Sequence, residues 1–227
     1  AVVTPGQQAP LGMAMSLRRR LALLAWARRN DAWIVEDDYL SELQLEGRAA
    51  PALASLDRER RVLHIGTFSK TISPVLRLGF LVVPLDRVDR FGDITTCLTP
   101  APAAFVQHAV AEFLREGHYL RHLRRMKRLY SAQRDALLRC LSEVAPESMK
   151  ARLAAGTAIV TSLPDSASSD VEIAMRARQF GLAPAPLSPW YLGSSPRQGL
   201  LLGVTNINER SMVADCRRLV KLLHGQS

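Results

Sequence analysis

Lys70 sits in a short run of hydroxyl-bearing residues, Gly66-Thr67-Phe68-Ser69-Lys70-Thr71, and Arg77 follows seven positions later. Lysine is costly to bury and its pKa falls readily when it is, which suits it to Schiff-base chemistry. Thr67 and Ser69 offer hydroxyl donors, and the Arg77 guanidinium is a charged fork shaped for phosphate oxygens. Taken alone, the segment also reads as a surface turn carrying a solvated lysine.

A second group lies upstream. Asp37 and Tyr39 stand two residues apart at the end of the apolar run Trp33-Ile34-Val35, so strand periodicity sends both to one face. Open α/β sheets bind ligands at the carboxyl ends of their strands. A carboxylate there can pair with a protonated ring nitrogen, and a phenol can donate to an oxyanion. By itself Glu36-Asp37-Asp38 reads as a solvated strand end. An acid, a phenol, two hydroxyls, a lysine and an arginine together match the needs of pyridoxal phosphate. Its aldehyde takes an amine, its pyridinium an acid, and its phosphate cationic and hydroxyl donors.

The elements that must position these residues follow from the apolar pattern. Ala1-Val2-Val3-Thr4 reads as a strand, then Pro5, Gly6, Pro10 and Gly12 mark a turn-rich connection. Ser16 is placed to cap a helix with Leu17, Leu21, Leu24 and Ala25 on its apolar face, ending near Asn30. Strands are predicted at Trp33 to Val35, closing in the acidic cluster, at Arg61 to Ile65, and at Leu78 to Val83, the last as a buried strand. The first of these suits a parallel strand covered on both faces. Strands separated by helices or long connections predict an α/β sheet.

From Val88 the pattern turns helical, breaks at Pro100-Ala101-Pro102, and resumes over Ala103 to Arg115. A long helix follows, with Leu120, Leu123, Met126, Tyr130 and Leu137 on one side and Arg121, Arg124, Arg125, Lys127 and Arg128 elsewhere. The remainder predicts strands at Ala158 to Leu163, Leu182 to Leu187 and Gly199 to Val204, and helices at Val171 to Phe180 and Ser211 to Leu223. That is an α+β module, with a domain change near residues 115–125. Trp26 and Trp33 are expected in the core; Trp190-Tyr191 could edge a site or simply pack.

The chain has 227 residues and a net charge of +9. That excess admits an anionic partner such as nucleic acid or phosphate. The basic helix nevertheless reads first as a solvated amphipathic helix, because no aromatic interleaving or DNA-binding motif accompanies it. Cys97, Cys140 and Cys216 have neither metal nor disulfide spacing, and the five histidines lack ligand spacing. No metal is expected. No apolar run is long enough to span a membrane, and no signal peptide is visible, so a cytoplasmic setting is the expectation.

Glu36-Asp37-Asp38-Tyr39, Gly66-Thr67-Phe68-Ser69-Lys70-Thr71 and Leu76-Arg77-Leu78-Gly79 together resemble fold-type-I aminotransferases. More closely, the chain resembles the C-terminal part of the aminotransferase-like domain of MocR-type bacterial regulators, a branch of the GntR family. Thr4-Pro5 through Gly12, His122-Leu123-Arg124-Arg125-Met126 and Gly199-Leu200-Leu201-Leu202-Gly203 carry that closer likeness. The resemblance implies that Lys70 forms the cofactor linkage, Asp37 (or, one residue on, Asp38) pairs with the pyridine nitrogen, and Tyr39 hydrogen-bonds the ring hydroxyl oxygen. Thr67, Ser69 and Arg77 would hold the phosphate.

The chain departs from the family pattern at Gln7, Gln8 and Ala9, at Leu40, and at the strand where catalytic members place an arginine for the substrate carboxylate. Here that run is Leu200-Leu201-Leu202-Gly203, with Arg197 nearby. The expectation is therefore a pyridoxal-phosphate-binding, effector-sensing and dimerising domain, with an amino acid, an amine or the cofactor itself as effector. A catalytic aminotransferase acting on an amino acid is the alternative. Residues 1–117 would complete a large cofactor-binding domain and residues 118–227 would form a small one. A winged helix-turn-helix that contacts DNA, and the start of the large domain, are expected upstream of Ala1. The isolated piece is expected to fold poorly.

Overall fold

The structure is a computed structural model that describes residues 1–45, 47, 50–98, 104–145, 147, 149–154, 156–164 and 167–223. The chain divides into two compact units, Ala1–Gln8 with Met13–Met126, and Ala9–Gly12 with Lys127–Ser227. The expected break at Pro100-Ala101-Pro102, and Ala103, lie outside the described residues.

The first unit is built on a four-stranded mixed sheet in the order β1 (Val2–Val3), β2 (Ile34–Asp38), β3 (Val62–Thr67), β4 (Gly79–Val82). The first three strands run parallel and β4 runs antiparallel to β3. Helix α1 (Leu17–Arg29) starts where the sequence predicts: the Ser16 hydroxyl accepts from the Arg19 amide and caps it. α1 and the one-turn helix α2 (Leu53–Leu56) cover one face of the sheet, burying Ala27, Ile34, Leu53 and Val62 together. α2 had no counterpart among the elements predicted from the sequence.

Arg20 is buried in this core, which the sequence did not suggest. It survives there because its guanidinium donates to the carbonyls of Met15 (2.9 Å), Pro51 (2.8 Å) and Pro5 (2.5 Å). It thus ties the entry loop, α1 and the segment before α2 together.

Two expectations are overturned here. β4 is not a buried strand: Phe80, Leu81 and Val82 are all exposed, because no described element packs over β4 as α1 and α2 pack over β2 and β3. Trp26 is exposed on α1, while Trp33 is half-buried beneath the Arg61 guanidinium. Helices α3 (Val88–Leu98), α4 (Ala104–Arg115) and the first turns of α5 (His118–Val144) complete the unit. On α5, Leu123 and Leu137 are buried as expected but Leu120 is exposed.

The second unit carries a four-stranded antiparallel sheet in the order β5 (Ala151–Leu153), β6 (Ala158–Ser162), β8 (Gly199–Gly203), β7 (Ala185–Pro186). α6 (Asp170–Arg178) and α7 (Met212–Leu223) join it. β5 was not foreseen, and the strand expected from Leu182 shrinks to two residues. Asp170, at the start of α6, is fully buried and accepts four hydrogen bonds, from the amides of Leu187, Ser188 and Gly199 and from the Ser188 hydroxyl. One carboxylate thereby fixes α6 to the turn after β7 and to β8. Tyr191 packs against the cluster of Ala154, Val160 and Leu187, and Trp190 is exposed.

Candidate functional site at the carboxyl ends of the parallel strands

In register, Asp37 of β2 pairs with Ile65 of β3, and Asp38 with Gly66. Side chains alternate along a strand, so Ile34, Glu36 and Asp38 share a face with Val62, His64 and Gly66, the face that α1 and α2 cover. Asp37 shares the opposite face with Leu63, Ile65 and Thr67. The carboxyl ends of the two parallel strands thus bring Asp37 and Thr67 onto one open face, where α/β sheets take ligands.

The fold also separates the roles of the two aspartates. Asp38 accepts from the Ser41 amide at 3.0 Å and shapes the turn after β2. The Asp37 carboxylate makes no hydrogen bond or ion pair among the described residues and is half-buried. Asp37 is therefore the acid left available. Tyr39 donates to the Gln7 carbonyl at 3.2 Å, and burial, reinforced by the Asp37 charge, raises its pKa. The phenol stays protonated at neutral pH and remains a donor.

After β3 the chain turns sharply through Phe68 to Ser73. The amides of Ile72 and Ser73 both donate to the Phe68 carbonyl, at 2.8 and 3.1 Å. Thr67 and Ser69 close on each other: the hydroxyls are 3.0 Å apart and the Ser69 amide donates to Thr67 Oγ1 at 3.1 Å. Lys70 projects from this turn and is exposed rather than buried. Arg77 ends the next turn, Pro74–Leu76, in the left-handed conformation with φ of 49°. For a residue with a Cβ that conformation costs about 1–2 kcal/mol. Neither Lys70 nor Arg77 makes an ion pair or hydrogen bond through its side chain among the described residues.

The backbone here is closely fitted. A Cβ on Gly66 would lie 2.1 Å from the Phe80 ring. The glycine that opens the lysine motif therefore lets Phe80 fold across the strand, where it meets His64 and Phe68 with ring centroids at 6.1 and 5.5 Å.

Two networks behind the face were missed at the level of sequence. In the first, the buried Glu36 accepts from the amides of Leu53 (2.6 Å) and Ala54 (3.0 Å) and pairs with His64 Nδ1 at 3.0 Å. Burial alone would raise the Glu36 carboxyl, but the His64 bond and the two amides outweigh it and leave its pKa lowered. The same bond, working against burial, raises His64.

In the second network, the Tyr119 hydroxyl of α5 donates to the Glu42 carboxylate in the turn after β2. Its ring packs on Phe68 and Phe113. Burial, then the Glu42 contact, holds that hydroxyl protonated. His122, one turn on, contacts the Thr71 carbonyl through Nε2 at 2.8 Å. Only the run beginning at His122 gave a signal in the sequence, as part of a family likeness.

Arg197 is exposed just before β8. Among the described residues no cluster of histidine, cysteine or acidic side chains could hold a metal, and no helix is long and apolar enough to cross a membrane. Arg121, Arg124, Arg125 and Arg128 are exposed along α5.

Comparison with known proteins bears on the whole chain. Residues 1–181 match the family described as aminotransferase class I and II. The chain is 39% identical over 212 residues to the probable rhizopine catabolism regulatory protein MocR of Rhizobium meliloti, covering 92% of this chain and 43% of that protein. It is 32% identical over 211 residues to the HTH-type pyridoxine biosynthesis transcriptional regulator PdxR of Corynebacterium glutamicum, covering 93% and 46%. The likeness to MocR-type regulators read from the sequence therefore holds, and the chain spans about half the length of those relatives. Among solved structures it is similar to LysN, the α-aminoadipate aminotransferase of Thermus thermophilus complexed with N-(5'-phosphopyridoxyl)-L-leucine. That match has a TM-score of 0.83, 27% identity and coverage of 99% of this chain and 58% of LysN. The mixed sheet with its second α+β unit is thus the fold-type-I arrangement predicted.

Proposed function

The chain belongs to the aminotransferase class I and II family, and on that premise we propose that it binds pyridoxal phosphate as the effector-sensing, dimerising domain of a bacterial transcription regulator. The observation that carries the reading is the pair of cations with unpartnered side chains, Lys70 and Arg77, that follow the Thr67–Ser69 hydroxyl pair, with the uncommitted Asp37 on the same sheet face as Thr67. Backbone strain at a residue such as Arg77 clusters at ligand-binding positions, and that supports the reading.

When bound, pyridoxal phosphate supplies an aldehyde carbon for amines and a protonated ring that accepts electron density. The residues of this chain fit that group. Lys70 offers the amine. Asp37 would pair with the ring nitrogen and favour its protonated form. Tyr39, which keeps its proton, would donate to the ring hydroxyl oxygen. Thr67, Ser69 and Arg77 would hold the phosphate by two hydroxyls and a fork. Residues 1–117 serve as the C-terminal part of the large domain and residues 118–227 as the small domain. An amino acid or amine competing for the Lys70 linkage shifts the balance between two conformations of a homodimer. Segments beyond this chain carry the DNA contacts, and the protein works in the cytoplasm.

Regulation is favoured over turnover because Leu200, Leu201 and Leu202 occupy the strand where catalytic members carry the carboxylate clamp. The likeness to solved aminotransferases supports the alternative of a catalytic aminotransferase, which Arg197 would have to serve. The test is an absorbance titration of the full-length protein with pyridoxal phosphate beside Lys70→Ala. A visible band in the wild type that the variant lacks is expected; equal spectra would overturn the assignment. Measurable amino-group transfer to a keto acid would favour the enzyme.

A further inference from the structure

We infer that Tyr119 and His122 are positioning residues for Lys70, so that the first turns of α5 register what is bound at the lysine. The inference rests on the pyridoxal-phosphate reading and extends it to residues outside the cofactor motif.

Between Thr67 and Arg77 the lysine turn is held by its own short-range hydrogen bonds, and Lys70 itself projects outward. What anchors it from behind is α5. His122 Nε2 reaches the carbonyl of Thr71, the residue next to Lys70, at 2.8 Å. Since a carbonyl only accepts, His122 must carry its proton on Nε2. Tyr119, one turn earlier and only 4% exposed, inserts between Phe68 and Phe113, with ring centroids at 6.0 and 6.3 Å. Its hydroxyl donates to Glu42, in the turn that follows Asp37 and Tyr39. The Thr71 hydroxyl is buried beside it, and its contact with the Tyr119 hydroxyl works against the burial that keeps that hydroxyl protonated.

Two side chains from one helix therefore grip both halves of the candidate site. One holds the lysine turn and the other the turn after the acid and phenol. A helix is stiff, so a displacement of Thr71 is felt by the whole first turn of α5 through His122. The two aromatic packings make that turn a closely fitted joint, which favours discrete positions over gradual slackening. These residues do not touch the reacting atoms; they act through Lys70 and its neighbours. The arrangement also gives His122, in a run otherwise notable for its arginines, a role independent of charge.

The experiment uses the full-length protein and pyridoxal phosphate as the probe. Cofactor affinity is read from the visible band, and backbone hydrogen exchange is followed over residues 118–126 with and without the cofactor. In the wild type, exchange over 118–126 should slow on binding. Tyr119→Phe keeps the ring packing and loses only the hydroxyl; His122→Leu keeps bulk and loses the donor. Each should weaken binding about tenfold, equivalent to about 1.4 kcal/mol, and abolish the cofactor-dependent slowing. His122→Gln restores a donor and should stay within about threefold of wild type. Glu42→Ala, on an exposed turn, repeats the test without touching the core and should weaken binding about threefold.

A merely structural role would lower the melting temperature while leaving the cofactor-dependent slowing intact, and that result overturns the inference. So does unchanged exchange in the wild type when the visible band forms. If Tyr119→Phe fails to fold, Glu42→Ala and the His122 pair decide. If the wild type gives no band at all, the pyridoxal-phosphate reading itself fails, and the inference falls with it.

Discussion

Two regions of the molecule, the start of α6 and the carboxyl end of the parallel strands, use their polar side chains in opposite ways. In the second unit, Asp170 is completely buried and spends its carboxylate on four hydrogen bonds that lock α6 to the sheet. At the end of the parallel strands, Asp37, Lys70 and Arg77 stand close along the chain to well-bonded neighbours, Asp38, Ser69 and Thr67, yet their own side chains make no hydrogen bond or ion pair among the described residues. Satisfied polar groups build a scaffold, and groups left over at the end of parallel strands wait for a ligand. The same contrast runs through the thiols. Cys140 and Cys216 are buried in the second unit, and burial, reinforced by Cys140, pushes the Cys216 thiol up to about 12. Cys97 is exposed on α3.

The sharpest way to break the contrast is Asp170→Ala. It strands three amides and a hydroxyl, and should cost about 3–5 kcal/mol, seen as a large drop in melting temperature. A change within about 1 kcal/mol would mean that Asp170 is not the lock described. Glu36→Gln comes next, at about 2–3 kcal/mol near neutral pH. Its pH dependence has a definite sign. The lowered Glu36 stabilises above its unfolded pKa near 4.5 and loses that effect as pH falls through the folded value. The raised His64 stabilises below its unfolded pKa near 6.5 and loses that effect as pH rises through the folded value. The stability gap between wild type and Glu36→Gln should therefore be greatest from about pH 4.5 to 6.5 and narrow on both sides; a gap independent of pH would refute the pair.

Arg77→Gly tests the other half of the contrast. Removing the Cβ relieves left-handed strain of about 1–2 kcal/mol against an entropic cost of about 0.5–1 kcal/mol. Denaturant unfolding should show stability unchanged or raised by up to about 1 kcal/mol, while cofactor affinity falls at least tenfold. Loss of both would mark Arg77 as structural. The smallest effect is chemical: a thiol reagent should label Cys97 promptly and Cys140 and Cys216 only on unfolding, with little change in stability.

Much of the first unit was legible because its signals are local. Ser16 ahead of an apolar periodicity marked α1, and the apolar run Trp33-Ile34-Val35 closing in acids marked β2. The exposure of β4 was not legible, because Leu78-Gly79-Phe80-Leu81-Val82-Val83 has the composition of a buried strand and composition does not say what covers it. The burial of Arg20 had no signal in the sequence; only the fold supplies the three carbonyls that let it be buried. Tyr119 and Glu42 lie 77 positions apart in sequence, so no spacing rule could pair them. Thr67, Ser69 and Lys70 read correctly as neighbours, yet the sequence could not show that Asp38 is spent on a turn while Asp37 is left free.

The central claim is that Lys70 is the residue that receives pyridoxal phosphate. Borohydride reduction of the full-length protein with the cofactor, followed by peptide mass mapping, tests it most directly. Reduction should fix one phosphopyridoxyl group on the peptide that contains Lys70 and leave those with Lys127, Lys150 and Lys221 unmodified. A label on any of those three in place of Lys70, or no stable label at all, would contradict the account.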